Sequence, residues 1–496
     1  MSDHYANLTR RLRETATLAS VGELLAWDQE TMMPPSAAQF RAEELAVVSS
    51  LVHQKATDSA VGELIGSCEA DATLAADPAI AANLREIRRD YDRARKLPGA
   101  LVAEISETSS LAMEVWKRAR ATSAFGDFAP WLDKQLTLQR RKAECYGAPE
   151  GGELYDALVE DYEPGMRSEE IERLFGPLRQ GLQPLIEAIA SATRPRDTSL
   201  EHISIPQALQ RTFNDAVLAQ IGFDLDGGRL DISTHPFSTG LGPGDTRITT
   251  RYRDDAFLDS LGSTMHEAGH GLYEQGLPKA ERLGQPASEA LSLGWHESQS
   301  RLWENQVGRS RAFWHWAGPV ARTIFGDAVV RFTDEDFYRA ANTVRPNLIR
   351  VESDEATYNL HIMLRFDLER AMIRGDLPVA DLPGAWNDRI KSDLGLDVPD
   401  DARGCLQDVH WSMGAIGYFP TYTIGNLYSA QLWDAVVVAI PDLDPQIRRG
   451  EFAALLGWLR NNVHAHGRRF RAPELAARVT GRTDRALLAT PLAEAA

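Results

Sequence analysis

Apolar positions recur at three- and four-residue intervals on a charged background through roughly the first 190 residues, as in AANLREIRRDYDRARKL and SSLAMEVWKRARATS. That spacing gives each segment one apolar stripe and predicts consecutive amphipathic helices. Short breaks containing Pro or Gly (LPGAL, AFGDFAP, YGAPEGG, YEPGM) separate them. None is long enough to be a linker, so the helices are expected to pack into one body. No segment recurs at a fixed period, which argues against a helical solenoid. Between about 225 and 253 the texture changes: GRLDISTHPFST and TRITTRYR alternate polar with β-branched or apolar residues and predict a small sheet of two or three strands. Helical spacing then resumes to the end. The expected fold is mainly α, with one small β-element.

The most informative stretch follows that element. Phe257, Leu261, Met265, Ala268 and Leu272 form an apolar stripe, and Gly276 followed by Leu277-Pro278 supplies a stop, so the segment reads as a helix with one buried face. His266 and His270 lie four apart on it and project from one face, able to reach a common ion. Glu267 lies about 100° around the axis, close to where a water on that ion would sit. Zinc at a hydrolytic site takes three protein ligands and leaves a position for water, whose pKa it lowers towards ~7, and a carboxylate beside it can accept the proton. HExxH thus reads as two ligands and a general base. The plainer alternative is a pair of histidines hydrogen-bonded within a helical core.

The third ligand must come from another element. Tyr273 and Gly276 occupy the places where a metzincin would need Gly and His, and Glu274 lies about 12 Å along the axis from His266. The next helical pattern, 288 to 308, offers Glu289, Glu297 and Glu304. Glu297 lies mid-helix in the polar cluster WHESQSR, where burial of so many polar groups needs a reason, whereas the other two sit near the ends. Glu297 is the expected ligand, and His296 is expected to support or pack against the site rather than bind the ion.

Composition narrows the class. Of 496 residues, 43% are apolar and 25% charged, ordinary values for a folded soluble chain. The formal charge of −18 disfavours nucleic acid or an anionic membrane as a partner. No apolar run approaches the ~20 residues of a membrane span, and the opening residues lack a secretory pattern, so a cytoplasmic location is expected. Cys68, Cys145 and Cys405 are far apart and read as reduced, mostly buried thiols.

Seven ordered motifs then carry a resemblance over most of the chain. AWDQETMMPP with Arg41, YDALVEDYEPGM, His235-Pro236-Phe237, Asp245-Thr246-Arg247-Ile248-Thr249, HExxH, HESQSR, and Gly404 to Trp411 as GxxQDxHW followed by GYFPTYTIGN are similar to the signatures of the M32 metallocarboxypeptidases. One motif departs: IRxxAD is Ile349-Arg350-Val351-Glu352-Ser353-Asp354 here, with serine for alanine.

The resemblance implies a large helical gluzincin-like fold with the sheet beside a deep active-site groove. It implies one peptidase domain over 1–496, made of an N-terminal helical subdomain (1–190) and a catalytic part (191–496) with metal-site helices at about 255–308. It also implies a homodimer that removes single residues from peptide C-termini, with one Zn²⁺ or Co²⁺ per chain on His266, His270 and Glu297. Substrates would be peptides with a free C-terminus. Arg350 heads the motif expected to read the substrate carboxylate, an arginine's planar fork being suited to it; the plainer reading pairs it with Glu352, Asp354 or Glu355. Arg247 is expected where the groove limits substrate length, and His235 at the substrate backbone. The peptide would lie along the sheet edge. His410 with Tyr418 or Tyr422 is expected to steady the oxyanion. The alternative activity is an oligopeptidase or dipeptidyl carboxypeptidase on the same site; a rival of another class is a helical protein with a structural ion. Trp411, Phe419 and FWHWAG (313–318) read as core, Asp28 and Glu30 as structural, and VHAHGRRFR (463–471) as a solvated helix end.

Overall fold

In the computed structural model, residues 3–191, 199–201 and 203–481 are described. The chain begins with a long helix (Asp3–Thr31), followed by Ala38–Ala56, Ser59–Glu69, Pro78–Arg95, Gly99–Thr122 and Phe125–Tyr146. Their starts are written locally. Asp58 and Asp77 each accept a hydrogen bond from a backbone N–H of the first turn, satisfying donors the helix itself cannot pair.

The buried apolar residues fall into two clusters. Tyr5, Leu8, Val61, Ile65, Cys68, Leu74, Leu84, Ile87 and Tyr91 make a small one within the first 95 residues. The larger runs from Ala112 to Leu475 and surrounds the sheet and the helices beyond it.

The sheet has three strands, β1 (Gly228–Ile232), β2 (Ser238–Gly242) and β3 (Asp245–Thr250), in the order β1-β3-β2. β3 is central, parallel to β1 and antiparallel to β2, and Thr239 pairs with Arg247. β2 is therefore an edge. The expected element between 225 and 253 is present with three strands. Immediately after it comes the HExxH helix (Phe257–Gly276), which ends where Gly276-Leu277-Pro278 predicts.

Two expectations are corrected. The helical pattern from 288 does not begin there: Pro286–Ser288 forms a single 3-10 turn, and the helix starts at Leu293. Ser292 is its cap, accepting from the Trp295 N–H, and this short local bond outweighs the apolar spacing before it. The helix then widens into π geometry over Leu302–Gly308. The segment 463–471 is not a solvated helix end: His464 is fully buried with Nε2 3.1 Å from Gln299 Oε1, and Arg468 is enclosed by Asp90 (2.7 Å) and Glu289 (2.8 Å). Its charges are used to join distant elements, which composition alone could not reveal. The FWHWAG, Trp411 and Phe419 readings hold, with Phe313, Trp314, Trp411 and Phe419 all buried. The cysteines are free thiols. No helix among the described residues is long and apolar enough to cross a membrane.

Candidate active site

The HExxH helix packs against the helix Leu293–Arg301 closely enough for side chains of the two to meet. Gly269 permits this, since a Cβ there would lie 2.6 Å from the Gln299 carbonyl oxygen. The four-residue spacing brings His266 and His270 to one face, with ring centroids 4.9 Å apart. Glu297 Oε2 lies 3.5 Å from Nε2 of His266 and 3.3 Å from Nε2 of His270. The three ligand atoms are all within 4.8 Å of one another. Two imidazoles and one carboxylate converging in this way fit a divalent ion such as zinc or cobalt, with a fourth position left for water or substrate.

Each imidazole is held from behind. His266 Nδ1 meets Glu304 Oε2 at 2.9 Å. His270 Nδ1 is hydrogen-bonded to Nδ1 of His296, whose Nε2 lies 2.8 Å from Glu274 Oε1, and Glu274 is in turn ion-paired with Lys279. When the two HExxH imidazoles are neutral, the tautomers that satisfy this chain leave Nε2 of each without a proton and free to bind an ion. His296 thus bridges His270 and Glu274 rather than joining the three converging atoms.

Arg301, which the sequence reading overlooked, ties the site together. Its Nε donates to Glu297 Oε1 (2.6 Å) and its Nη1 to Glu304 Oε2 (2.9 Å), while its guanidinium lies 4.0 Å from the Tyr358 ring centroid. Glu297 is buried, yet His266 and Arg301 outweigh that penalty and keep its carboxylate well below the usual range. Glu267 feels the same two charges, but burial and the carboxylates of Glu297 and Glu304 outweigh them. Burial pushes its carboxyl up to about 7, and it lies on the wall of the cavity, matching the proton affinity a general base needs near neutrality.

The cavity has a volume of about 610 Å³. One side is the edge of β2 with the residues leading into it, His235, Pro236, Phe237, Ser238 and Thr239. His235 is depressed to about 4 by burial and the charge of Arg350, and among the described residues neither ring nitrogen has a hydrogen-bond partner. Its ring centroid is 5.8 Å from that of His410. His410 Nε2 is 2.8 Å from the Tyr422 hydroxyl, and the Tyr418 ring centroid is 5.2 Å from that of His410.

Arg350 is buried on the same wall, but its partner is none of the three acids near it in sequence. Nε and Nη2 both donate to Asp408 Oδ1 (3.0 and 2.8 Å), and Nη1 donates to the Tyr358 hydroxyl (2.6 Å). Among the described residues three of its five N–H donors are engaged. Arg247 is placed differently from the rest. It is not among the lining residues; it pairs with Asp245 (2.9 Å) and lies 4.3 Å over the ring of Trp27, which does line the cavity. Asp28 pairs with Arg41 at 2.7 Å, as a structural role requires, whereas Glu30 is on the cavity wall.

This arrangement can be compared with known proteins. The family described as Carboxypeptidase Taq (M32) metallopeptidase matches residues 7–492. Thermostable carboxypeptidase 1 of Thermus thermophilus is 46% identical over 96% of this chain and 95% of its own. Carboxypeptidase 1 of Bacillus subtilis is 36% identical over 92% of this chain and 91% of its own. The crystal structure of the M32 carboxypeptidase from Deinococcus radiodurans R1 superposes with a TM-score of 0.91 at 41% identity, covering 100% of this chain and 98% of that one. With the motif helices, the His-His-Glu convergence and the match over nearly the whole length all in agreement, the chain belongs to the M32 family of metallopeptidases.

Proposed function

We propose that this protein is a metal-dependent carboxypeptidase that removes single residues from the free C-termini of peptides. It acts as a homodimeric cytoplasmic enzyme whose single peptidase domain holds one zinc or cobalt ion per chain. The observation that carries the reading is the convergence of His266, His270 and Glu297 beneath an edge strand in a cavity that also contains a buried arginine with two N–H donors unengaged among the described residues.

A divalent ion bound by those three residues supplies Lewis-acid polarisation of the scissile carbonyl and raises the acidity of a water beside it. The protein's residues do the rest. The substrate adds as a strand to the free edge of β2, whose backbone groups fix its extended conformation. Arg350, locked in orientation by Asp408 and Tyr358, takes the terminal carboxylate and so sets where the chain must end. Glu267 accepts the proton of the attacking water and returns it to the leaving amine.

Burial and the charge of Arg350 outweigh nearby Asp408 and hold His410 neutral, well below its ordinary value. With its single proton on Nε2, His410 donates to the Tyr422 oxygen, and the Tyr422 O–H, which meets the Tyr418 hydroxyl in the resting site, turns to donate to the developing oxyanion. Tyr422 is then the direct donor, with His410 positioning it.

Incubating matched peptides with free and amidated C-termini and listing products by mass tests the reading. Single-residue ladders from the free acid alone are expected. Internal cuts, release of dipeptides, or equal cleavage of the amide overturn it in favour of an oligopeptidase or dipeptidyl carboxypeptidase.

A further inference from the structure

The N-terminal signature was read from sequence as structural, and for Asp28 that holds. The same helix nevertheless presents Glu23, Ala26, Trp27 and Glu30 to the cavity at helical intervals, with the Trp27 ring against Arg247 of β3. A peptide held in the cavity has this face among its walls. Glu30 is 3.6 Å from Lys117, and Arg120, one turn further along the Lys117 helix, is close enough for its charge to act on His235 and on Asp408, the partner of Arg350; this is the end nearest Arg350. Glu23 is at the other end, towards Glu274 and Lys279, where Lys279 donates to the Gly240 carbonyl (3.2 Å). From Glu23 to Glu30 is about 10 Å along the helix, the length of about three extended peptide residues.

Charge distinguishes the upstream end. The arginines on the cavity wall are paired: Arg251 with Glu352, Arg301 with Glu297, Arg309 with Glu304, Arg345 with Glu201 and Arg350 with Asp408. Among the described residues no ion pair engages Glu23, which is exposed to the cavity; enclosure by its neighbours and then the charge of Glu274 raise its carboxyl pKa, and the nearby Lys279 lowers it. A second observation points to a ligand along the same wall. Trp27 lines the cavity and is 5% exposed, and among the described residues its buried indole N–H has no acceptor. Such a buried donor is costly unless a partner arrives, and a peptide carbonyl is the group that would pass it.

We infer that Glu23 is a specificity residue that binds a primary ammonium group of the substrate upstream of the scissile bond, on a wall where Trp27 steadies the peptide backbone. The inference rests on the carboxypeptidase reading above. Two sources share this chemistry: the α-amino group of a short peptide, and a lysine side chain within a longer one.

The test compares kcat/KM for tetrapeptides with free and N-acetylated amino ends, and for longer acetylated peptides carrying lysine or norleucine at each upstream position. In the unaltered holoenzyme at low salt, the ammonium-bearing member of at least one pair is expected to be favoured about fivefold, as for a partly exposed charge pair. The ratio falls below about twofold in Glu23→Gln and with added salt. Glu14→Gln, on the same helix but paired with Arg10 outside the cavity, keeps it. The arm that shows the ratio identifies the source. A ratio near one in both arms, or one that survives Glu23→Gln, overturns the inference. Because the ratio is taken between peptides that all end in a free carboxylate, failure here leaves the ladder test of the C-terminal requirement standing.

Discussion

Glu267 and Glu297 are both buried carboxylates one helix apart, yet their surroundings give them opposite tasks. Glu297 is held anionic by His266 and Arg301, while burial leaves Glu267 with a proton affinity near neutrality. Glu267→Gln is therefore expected to bind the ion with unchanged stoichiometry, measured by elemental analysis, and to lose about 10²–10⁴-fold in kcat. Retention of full activity would contradict its role as base. Tyr422→Phe is expected to lower kcat about 10²-fold, with Tyr418→Phe affecting it less; the reverse order would reassign the oxyanion donor. Much of this was readable from sequence because HExxH is a local pattern, and because polarity in a buried helix singled out Glu297. Asp408 as the partner of Arg350 was not, since 58 residues separate them and the nearer acids look equally plausible. Arg301 was missed for another reason: its role comes from the helix fixing Glu297 and Glu304 on its own face, which assigns meaning to the arginine only once both acids are placed.

At the scale of elements, the site depends on how closely helices approach. Gly269 faces the backbone of Gln299 and Ser300, and a Cβ at Gly425 would lie 2.5 Å from Cβ of Glu297. Gly269→Ala must push the two metal-site helices apart. An expected cost of about 1–3 kcal/mol in stability accompanies weaker zinc binding in a competition titration with a chromophoric chelator; an unchanged affinity would show that the contact is slack. Both glycines stand inside helical patterns, a signal for close packing that names no partner.

The loop carrying Asp408, His410 and Tyr418 is tied down by Glu369, which accepts from Tyr155 (2.7 Å), Trp411 (2.8 Å) and the Gly417 N–H (3.0 Å). Burial nevertheless pushes its carboxyl up to about 7. The folded state then holds this proton more tightly than the unfolded chain, so the contribution of Glu369 to stability is full below about 4.5 and declines as pH rises to about 7. Relative to wild type, Glu369→Gln is expected to be more stable at pH 7.5 than at pH 5 by up to about 3 kcal/mol. Thermal midpoints at the two pH values check this, and a constant difference would show that the group is ionised throughout.

Over the whole molecule, the fold class was legible because helical spacing and one β-textured interval dominate the chain. The lateral arrangement was not, since hydrophobic periodicity says which face is buried and not against what. The hydrogen bonds behind His266 and His270 link the metal-site helices independently of any ion. Chelation is accordingly expected to abolish activity and leave far-UV circular dichroism unchanged. Readdition of zinc or cobalt at a hundredfold excess over Kd should restore activity and add about 2.7 kcal/mol to stability; gross loss of helix on chelation would contradict this.

The small apolar cluster of the first 95 residues is separate from the large one that includes the HExxH helix, yet the helix it supports contributes Glu23 and Trp27 to the cavity. Preference for substrates and the capacity for hydrolysis are thereby built on different foundations. Exchange of that leading segment between relatives could alter the diet of the enzyme while leaving its chemistry intact.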